Sequence, residues 1–329
     1  MPAFQEYEGQ SQHIRRLQRE FARHEEAHAY LFSGPVGTGK KSVARLCAAA
    51  RLCRGEGGEK PCGLCGPCRR VFAGTHPDVH VVEPEKGKRD ISIGVMRAAL
   101  SEAQVRPLEG DAKLFLIPEA DRMNPQAQNA LLKTLEEPPE DTVFLLCTSR
   151  PAALLPTILS RTRMIRFHPL SVEDASLRLQ QIGMEKPQAD AAAVLSEGCV
   201  GVALLLDKDA LARRRELTAR FFGVQRPADV PAILAAYKDE KLDRAALLSE
   251  WEASVRDVTS ACVSGQELPS EAYAPEAAAY ARTVPLQAAL QLTEGALTAK
   301  KMLASYVGFQ GILETILLSI AEEYKKWPW

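Results

Sequence analysis

The sequence predicts an α/β domain built on a doubly wound, mainly parallel sheet, followed by an all-helical region. Three observations carry this. Apolar runs at 28–34, 79–84, 113–120 and 142–149 have the length of buried strands. Segments with helical spacing of apolar residues alternate with them. Beyond about residue 168 the strand signals stop, and Ala- and Leu-rich helical patterns take over.

Taken in order, QSQHIRRLQREFARH (10–24) places Ile14, Leu17 and Phe21 on one helical face. HAYLFSG (28–34) is a short strand that runs into a glycine-rich loop, and residues 41–52 resume a helical pattern. A cysteine-rich insertion follows, then a strand at VHVVEP (79–84) and a helix over 94–107 that stops at a proline. KLFLIPEA (113–120) and TVFLLCTS (142–149) suit central strands, and the helix between them is closed by Pro138 and Pro139. The division expected is a nucleotide-binding-like domain over 1–168 with an insertion at about 53–68, a small helical unit over 169–210 and a longer helical unit over 211–329. Pro269, Pro275 and Pro285 mark helix boundaries in the last.

Composition narrows the function classes. With 46% hydrophobic residues in 329, the chain is not a disordered one. A formal net charge of −1 gives no global positive field to hold nucleic acid, so any DNA contact must be local or come through partners. No segment reaches the roughly 20 apolar residues that span a bilayer, and the N-terminus lacks the apolar core of a signal peptide. The expected location is cytoplasmic. In that reducing setting, clustered cysteines are metal ligands more often than disulfides.

GPVGTGK (34–40), between strand and helix, has the form of a phosphate-binding loop. Gly34, Gly37 and Gly39 let backbone N–H groups turn toward phosphate oxygens, and Lys40 adds a point charge. The hydroxyl that should follow the lysine and hold magnesium is replaced by Lys41. Ser42 comes one position late, about 100° around the helix. The second magnesium ligand is an acidic residue at the end of a neighbouring strand. In KLFLIPEAD that position is Pro118, while Glu119 remains. Two losses aimed at one ion argue for abandoned hydrolysis, with ATP or ADP binding weak or absent.

The insertion supplies Cys53, Cys62, Cys65 and Cys68. Four thiolates close a tetrahedral zinc site with no open position, which makes the role structural. Two alternatives stay open: a dormant site that lacks metal, and an iron–sulfur cluster, which takes the same ligand set. His76 and His80 are not needed to complete it. Cys47 and Cys147 read as buried small hydrophobes.

HAYLFSGPVGTGK, the four-cysteine insertion, THPD, NALLKTLEEPP and ILSR together resemble the bacterial DNA polymerase III clamp-loader subunits, over about residues 4–207. That resemblance implies an AAA+ domain, a helical lid and a helical collar that joins five subunits in a ring. The zinc insertion occurs in the gamma/tau motor and in the delta prime subunit. Lys41, Pro118 and the arginine-free GCVGVAL (198–204), where the family lid carries a nucleotide-sensing arginine near G-x-x-R-x-A-L, all depart from the motor pattern and point to the delta prime branch. The short collar region fits as well.

ILSRTRMIRF (158–167) keeps the family's Ser160 and Arg161, with Thr162 in the cysteine position. The resemblance implies that Arg161 acts in trans, reaching the γ-phosphate on a neighbouring subunit as an arginine finger. Arg163 and Arg166 are weaker candidates, and Arg166 alternates with apolar neighbours as on a strand face. The implied partners are gamma/tau and delta, with the sliding clamp and primed DNA met through the assembly. Lys133 could face DNA phosphates, although a solvated helical lysine is as plausible a reading, and the RRR run at 213–215 is equally a wet face. The runner-up function is an ATP-hydrolysing gamma/tau-type motor, and a third is an AAA+ scaffold unrelated to replication. YKKWPW (324–329) has three open readings: docking on the collar, docking on a partner, or fraying.

Overall fold

Among the described residues, five short strands form one parallel sheet: β1 (Ala29–Ser33), β2 (Val79–Val81), β3 (Lys113–Ile117), β4 (Thr142–Thr148) and β5 (Arg163–Arg166). Their order is β2-β3-β4-β1-β5. The computed structural model describes residues 11–56, 59–237, 243–305 and 307–326. Every residue of β1, β3 and β4 is buried, which is why these strands are unbroken apolar runs rather than alternating ones. The sheet edges, β2 and β5, are only partly covered. Register pairs Phe32 with Cys147 and Ile165 across the centre of the sheet.

Helices cover both faces. On one lie α1 (Ser11–Arg23) and α2 (Lys40–Arg51). Ile14, Leu17 and Phe21 of α1 pack with Val43, Leu46 and Cys47 of α2 against Tyr30 and Phe32. On the other face, α4 (Ile93–Ala103), α5 (Pro125–Glu136) and α6 (Pro156–Arg161) bury Met96, Leu131 and Ile158 against Leu31, Phe115 and Phe144. The helix expected over 94–107 ends at Ala103 because Gln104 and Val105 donate to the carbonyls three residues back and tighten the chain into a turn. One helix absent from the sequence reading is α3 (Gly66–Ala73), which carries Cys68.

The chain divides into two compact units, residues 1–175 with 197–202, and residues 176–196 with 203–329. Among the described residues the second has helices and no strand. It contains α8 (Lys186–Leu195), α10 (Lys208–Phe222), α11 (Val230–Ala236), α12 (Arg244–Ser264), α13 (Pro275–Thr283), α14 (Leu286–Ala304) and α15 (Phe309–Lys326), while two of the divisions between the units fall within α7 (Val172–Gln181) and α9 (Val200–Ala203). Trp251 is its centre, with ring centroids 4.4 Å from Phe221 and 5.2 Å from Phe222. Pro275 opens α13 and Pro285 caps α14, as the proline pattern predicts. In the RRR run, Arg213 and Arg215 are exposed, but Arg214 is mostly buried and pairs with Asp257 at 3.4 Å. The terminal Trp-Pro-Trp lies outside the described residues.

THPD has a structural use. The Asp78 carboxylate is fully buried and accepts the backbone N–H groups of Leu108 (2.6 Å), Glu109 (2.9 Å) and Gly110 (2.7 Å). It therefore ties the end of β2's approach to the loop that enters β3. Burial raises its pKa, but the three amides outweigh burial and hold the carboxyl below the usual range. Asp78→Ala leaves buried donors unsatisfied and is expected to cost about 3 kcal/mol in the first unit. A carboxyl whose folded pKa is depressed stabilises above its unfolded value, and that contribution is lost as pH falls through the folded pKa. The first unit of the wild type should thus lose stability below about pH 4, and the Asp78→Ala chain should show a smaller acid loss in pH-resolved thermal melts.

Candidate nucleotide and metal sites

The loop Gly34–Lys40 joins β1 to α2, as the motif requires. Gly37 and Gly39 take φ of 81° and 86°, a region that favours glycine. The buried Lys40 folds onto its own loop: Nζ donates to the Gly34 carbonyl at 2.7 Å and the Pro35 carbonyl at 2.5 Å. Burial pushes its pKa down, opposed by Cys147, Cys199 and Asp121 nearby.

Lys41 does not simply leave a gap where a hydroxyl is expected. Its Nζ donates to Glu119 Oε1 at 2.8 Å, and Arg122 Nη1 donates to Glu119 Oε2 at 2.7 Å. Lys41 first and Arg122 second hold the Glu119 carboxyl below the usual range. The acidic residue that survives past β3 is therefore neutralised by cations on both oxygens. Sequence reasoning missed its neighbour Asp121, whose side chain is 8% exposed. Asp121 accepts from Thr148 Oγ1 and Arg150 Nε, each at 3.0 Å. The signal available was Asp121 itself, standing three residues past Pro118 in the stretch that follows a strand.

GCVGVAL begins on the loop. The Gly201 N–H donates to the Gly37 carbonyl at 2.8 Å, and a Cβ at Gly201 would stand 2.8 Å from the Gly37 Cα. A Cβ at Gly37 would stand 2.7 Å from the Val202 nitrogen. Two backbones thus meet where the resemblance would put an arginine, and no side chain fits between them.

Arg161 ends α6. Its Nη2 pairs with Glu136 of α5 at 2.6 Å, and Nη1 donates to the Thr157 carbonyl at 3.2 Å and to Ser160 Oγ at 3.3 Å. The side chain is 34% exposed. Arg163 is engaged elsewhere. Its Nη1 donates to both Glu20 oxygens at 2.9 Å, and its guanidinium lies 5.7 Å from the Tyr30 ring centre. Arg166 is exposed on β5 between buried Ile165 and Phe167, as the alternation predicts. Lys133 is exposed on α5.

The metal candidates converge. The sulfurs of Cys53, Cys62, Cys65 and Cys68 all lie within 4.8 Å of one another. Cys53 follows the end of α2, Cys65 caps α3 and Cys68 lies in its first turn, so two helices and one tight loop set the cluster. A zinc ion at about 2.3 Å from each sulfur needs sulfurs about 3.8 Å apart, which this cluster meets with small shifts. The backbone supports thiolates as well. Gly55 and Cys62 N–H groups face Cys53 Sγ, and the Cys65 N–H faces Cys62 Sγ, each at 3.4 Å. Backbone donation from Cys65 brings the Cys62 thiol down to about 6, while burial pushes Cys53 and Cys68 up. His76 stands apart from the four and accepts the Asp78 N–H at Nδ1. Cys47 and Cys147 are buried.

A strand, glycine-rich loop and helix on a parallel five-stranded sheet, followed by helices, define a domain with the AAA+ fold. A Thermotoga maritima gamma subunit-related protein of DNA polymerase III shares the fold with TM-score 0.51 at 19% identity, covering 94% of this chain and 99% of that one. The family model described as DNA polymerase III, delta subunit matches residues 9–171. The Bacillus subtilis subunit delta' is 31% identical over 303 residues, which is 90% of this chain and 91% of the relative. The Escherichia coli subunit delta' is 34% identical over 65% of each chain, and its subunit tau is 38% identical over 56% of this chain and 29% of the relative. The chain belongs to the DNA polymerase III delta prime subunit family.

Among the described residues no helix is long and apolar enough to cross a membrane.

Proposed function

We propose that this chain serves a bacterial replicative clamp loader as a ring member that does not hydrolyse ATP, and that it lends Arg161 to the site of a neighbouring gamma/tau subunit. Delta is its other neighbour in a hetero-pentamer. The sliding clamp and primed DNA are met through that assembly. The lid spans 169–210 and the collar 211–329. Cys53, Cys62, Cys65 and Cys68 hold a structural zinc, which supplies a fixed cross-link between the end of α2 and α3.

One observation carries the reading: Lys41, which stands where the magnesium-holding hydroxyl is expected, is bonded at 2.8 Å to Glu119, the acidic residue that remains beside Pro118. Hydrolysis needs the metal to offset charge that builds on the transferring phosphoryl group. With Glu119 held by Lys41 and Arg122, and Asp121 by Thr148 and Arg150, neither carboxylate is left for it. Arg161 needs no nucleotide in its own subunit, and Ser160 accepts from its guanidinium and helps to orient it.

Turnover measurements test this. The purified chain alone should hydrolyse ATP no faster than background. A loader assembled with the Lys40→Ala chain should turn over ATP as the wild type does. Hydrolysis by the isolated chain that is lost on Lys40→Ala would establish the motor reading instead.

A further inference from the structure

The Lys41–Glu119 pair has a consequence for the ligand this loop accepts. In a hydrolysing site, magnesium joins the first turn of the helix after the loop to the end of a neighbouring strand, and both to the phosphates. Here an ammonium spans the same two elements. Lys41 is the second residue of α2, and Glu119 lies two residues past β3. The donor set does not fit a divalent cation. Of the two carboxylates, Glu119 is held by Lys41 and Arg122, and Asp121 by Thr148 and Arg150. Three cations, Lys41, Arg122 and Arg150, pair with those two carboxylates, and Lys40 lies on the adjoining loop carbonyls, so the cluster is net positive before any ion arrives. A second cation would add repulsion, whereas an anion would be drawn in.

We infer that Lys41 is a tethered replacement for the divalent metal, and that this loop takes a nucleoside polyphosphate as the free anion, without magnesium. This rests on the reading of the chain as a non-hydrolysing subunit and adds the form of its ligand. Lys40 turns from the Gly34 and Pro35 carbonyls to the phosphates, and Lys41 shares its charge between Glu119 and the same phosphates. The position of the missing lid arginine is closed by the Gly37–Gly201 backbone contact, so the positive charge must come from the loop side.

The test is titration calorimetry of the purified full chain with ATP, ADP and inorganic triphosphate, in EDTA and in excess magnesium chloride. ATP and ADP should bind in EDTA, and magnesium should weaken that binding by withdrawing charge from the phosphates. Lys41→Thr should weaken binding in EDTA by about tenfold, the scale of one charge-assisted hydrogen bond. The Lys41→Thr/Pro118→Asp double variant should reverse the preference, so that magnesium tightens binding. The wild-type comparison of the two buffers needs no variant and decides the matter if a variant fails to fold. Inorganic triphosphate binding as tightly as ATP would overturn the nucleoside assignment. Failure of ATP and ADP to bind in either buffer would overturn the inference and leave the proposed function standing. Binding that requires magnesium and ends in hydrolysis would overturn both.

Discussion

Assembled with gamma/tau and delta subunits, the Arg161→Ala chain is expected to lower phosphoryl transfer at the site it serves by about three to five orders of magnitude, the usual worth of an arginine finger. The loss should appear in single-turnover hydrolysis, where chemistry is separated from nucleotide exchange. Arg161→Lys should recover little, because an ammonium cannot present the planar fork that grips two phosphoryl oxygens. The fold should not suffer. In the isolated chain Arg161 pairs with Glu136 at 2.6 Å, and the two side chains are 34% and 51% exposed. Exposed pairs of that kind are worth about 0–1 kcal/mol. A large catalytic effect with an unchanged melting profile separates a finger from a structural arginine. Arg163→Ala is the useful contrast. That guanidinium binds both oxygens of Glu20, whose side chain is 13% exposed, so its loss should register in stability rather than in turnover.

Removal of the metal should produce the second large effect. The chain should carry one zinc, and stripping it, or replacing Cys68 by Ser, should loosen the end of α2 together with α3. With free zinc a thousandfold above its dissociation constant, the ion contributes about 4 kcal/mol to the unit that binds it. For a domain of this size that corresponds to roughly 10 °C in the first melting transition. The sheet has its own apolar core, so the unit should survive as a folded but weaker domain, with fast amide exchange confined to the insertion and its flanks. Metal analysis of the purified chain, followed by melts with and without chelator, checks both points. An iron–sulfur cluster would show itself by colour and iron content.

How far the sequence carried depended on whether a residue's partner lies close in the chain. β1, β3 and β4 were legible because all their residues are buried, so the apolar runs are continuous. The phosphate loop and the four cysteines were legible because their chemistry requires fixed local spacing. α3 was not, since Cys, Gly and Pro at its start serve the sulfur cluster and mask the helical period. The partners of the charged residues were beyond reach. Lys41 meets a carboxylate 78 positions away, and Arg163 meets one 143 positions away. The sequence could therefore name Lys41 as a departure but could not say that it completes an ion pair. The RRR run shows the same limit, because its middle residue is set apart from its neighbours only by Asp257, which α12 delivers. Asp78 belongs to this group too: THPD looked like a family mark, and its carboxylate proves to organise backbone amides about 30 residues on.

The central claim is that this chain gives its catalytic arginine to a neighbour and spends none on itself. A structure of the reconstituted loader with a γ-phosphate mimic bound at the adjoining gamma/tau site tests it most directly. The account predicts the Arg161 guanidinium released from Glu136 and within hydrogen-bond distance of the mimic, with Lys41 and Glu119 still paired and no magnesium between them. Arg161 still on Glu136 and remote from the neighbour's phosphate, or a magnesium ion seated beside Lys41, would contradict it.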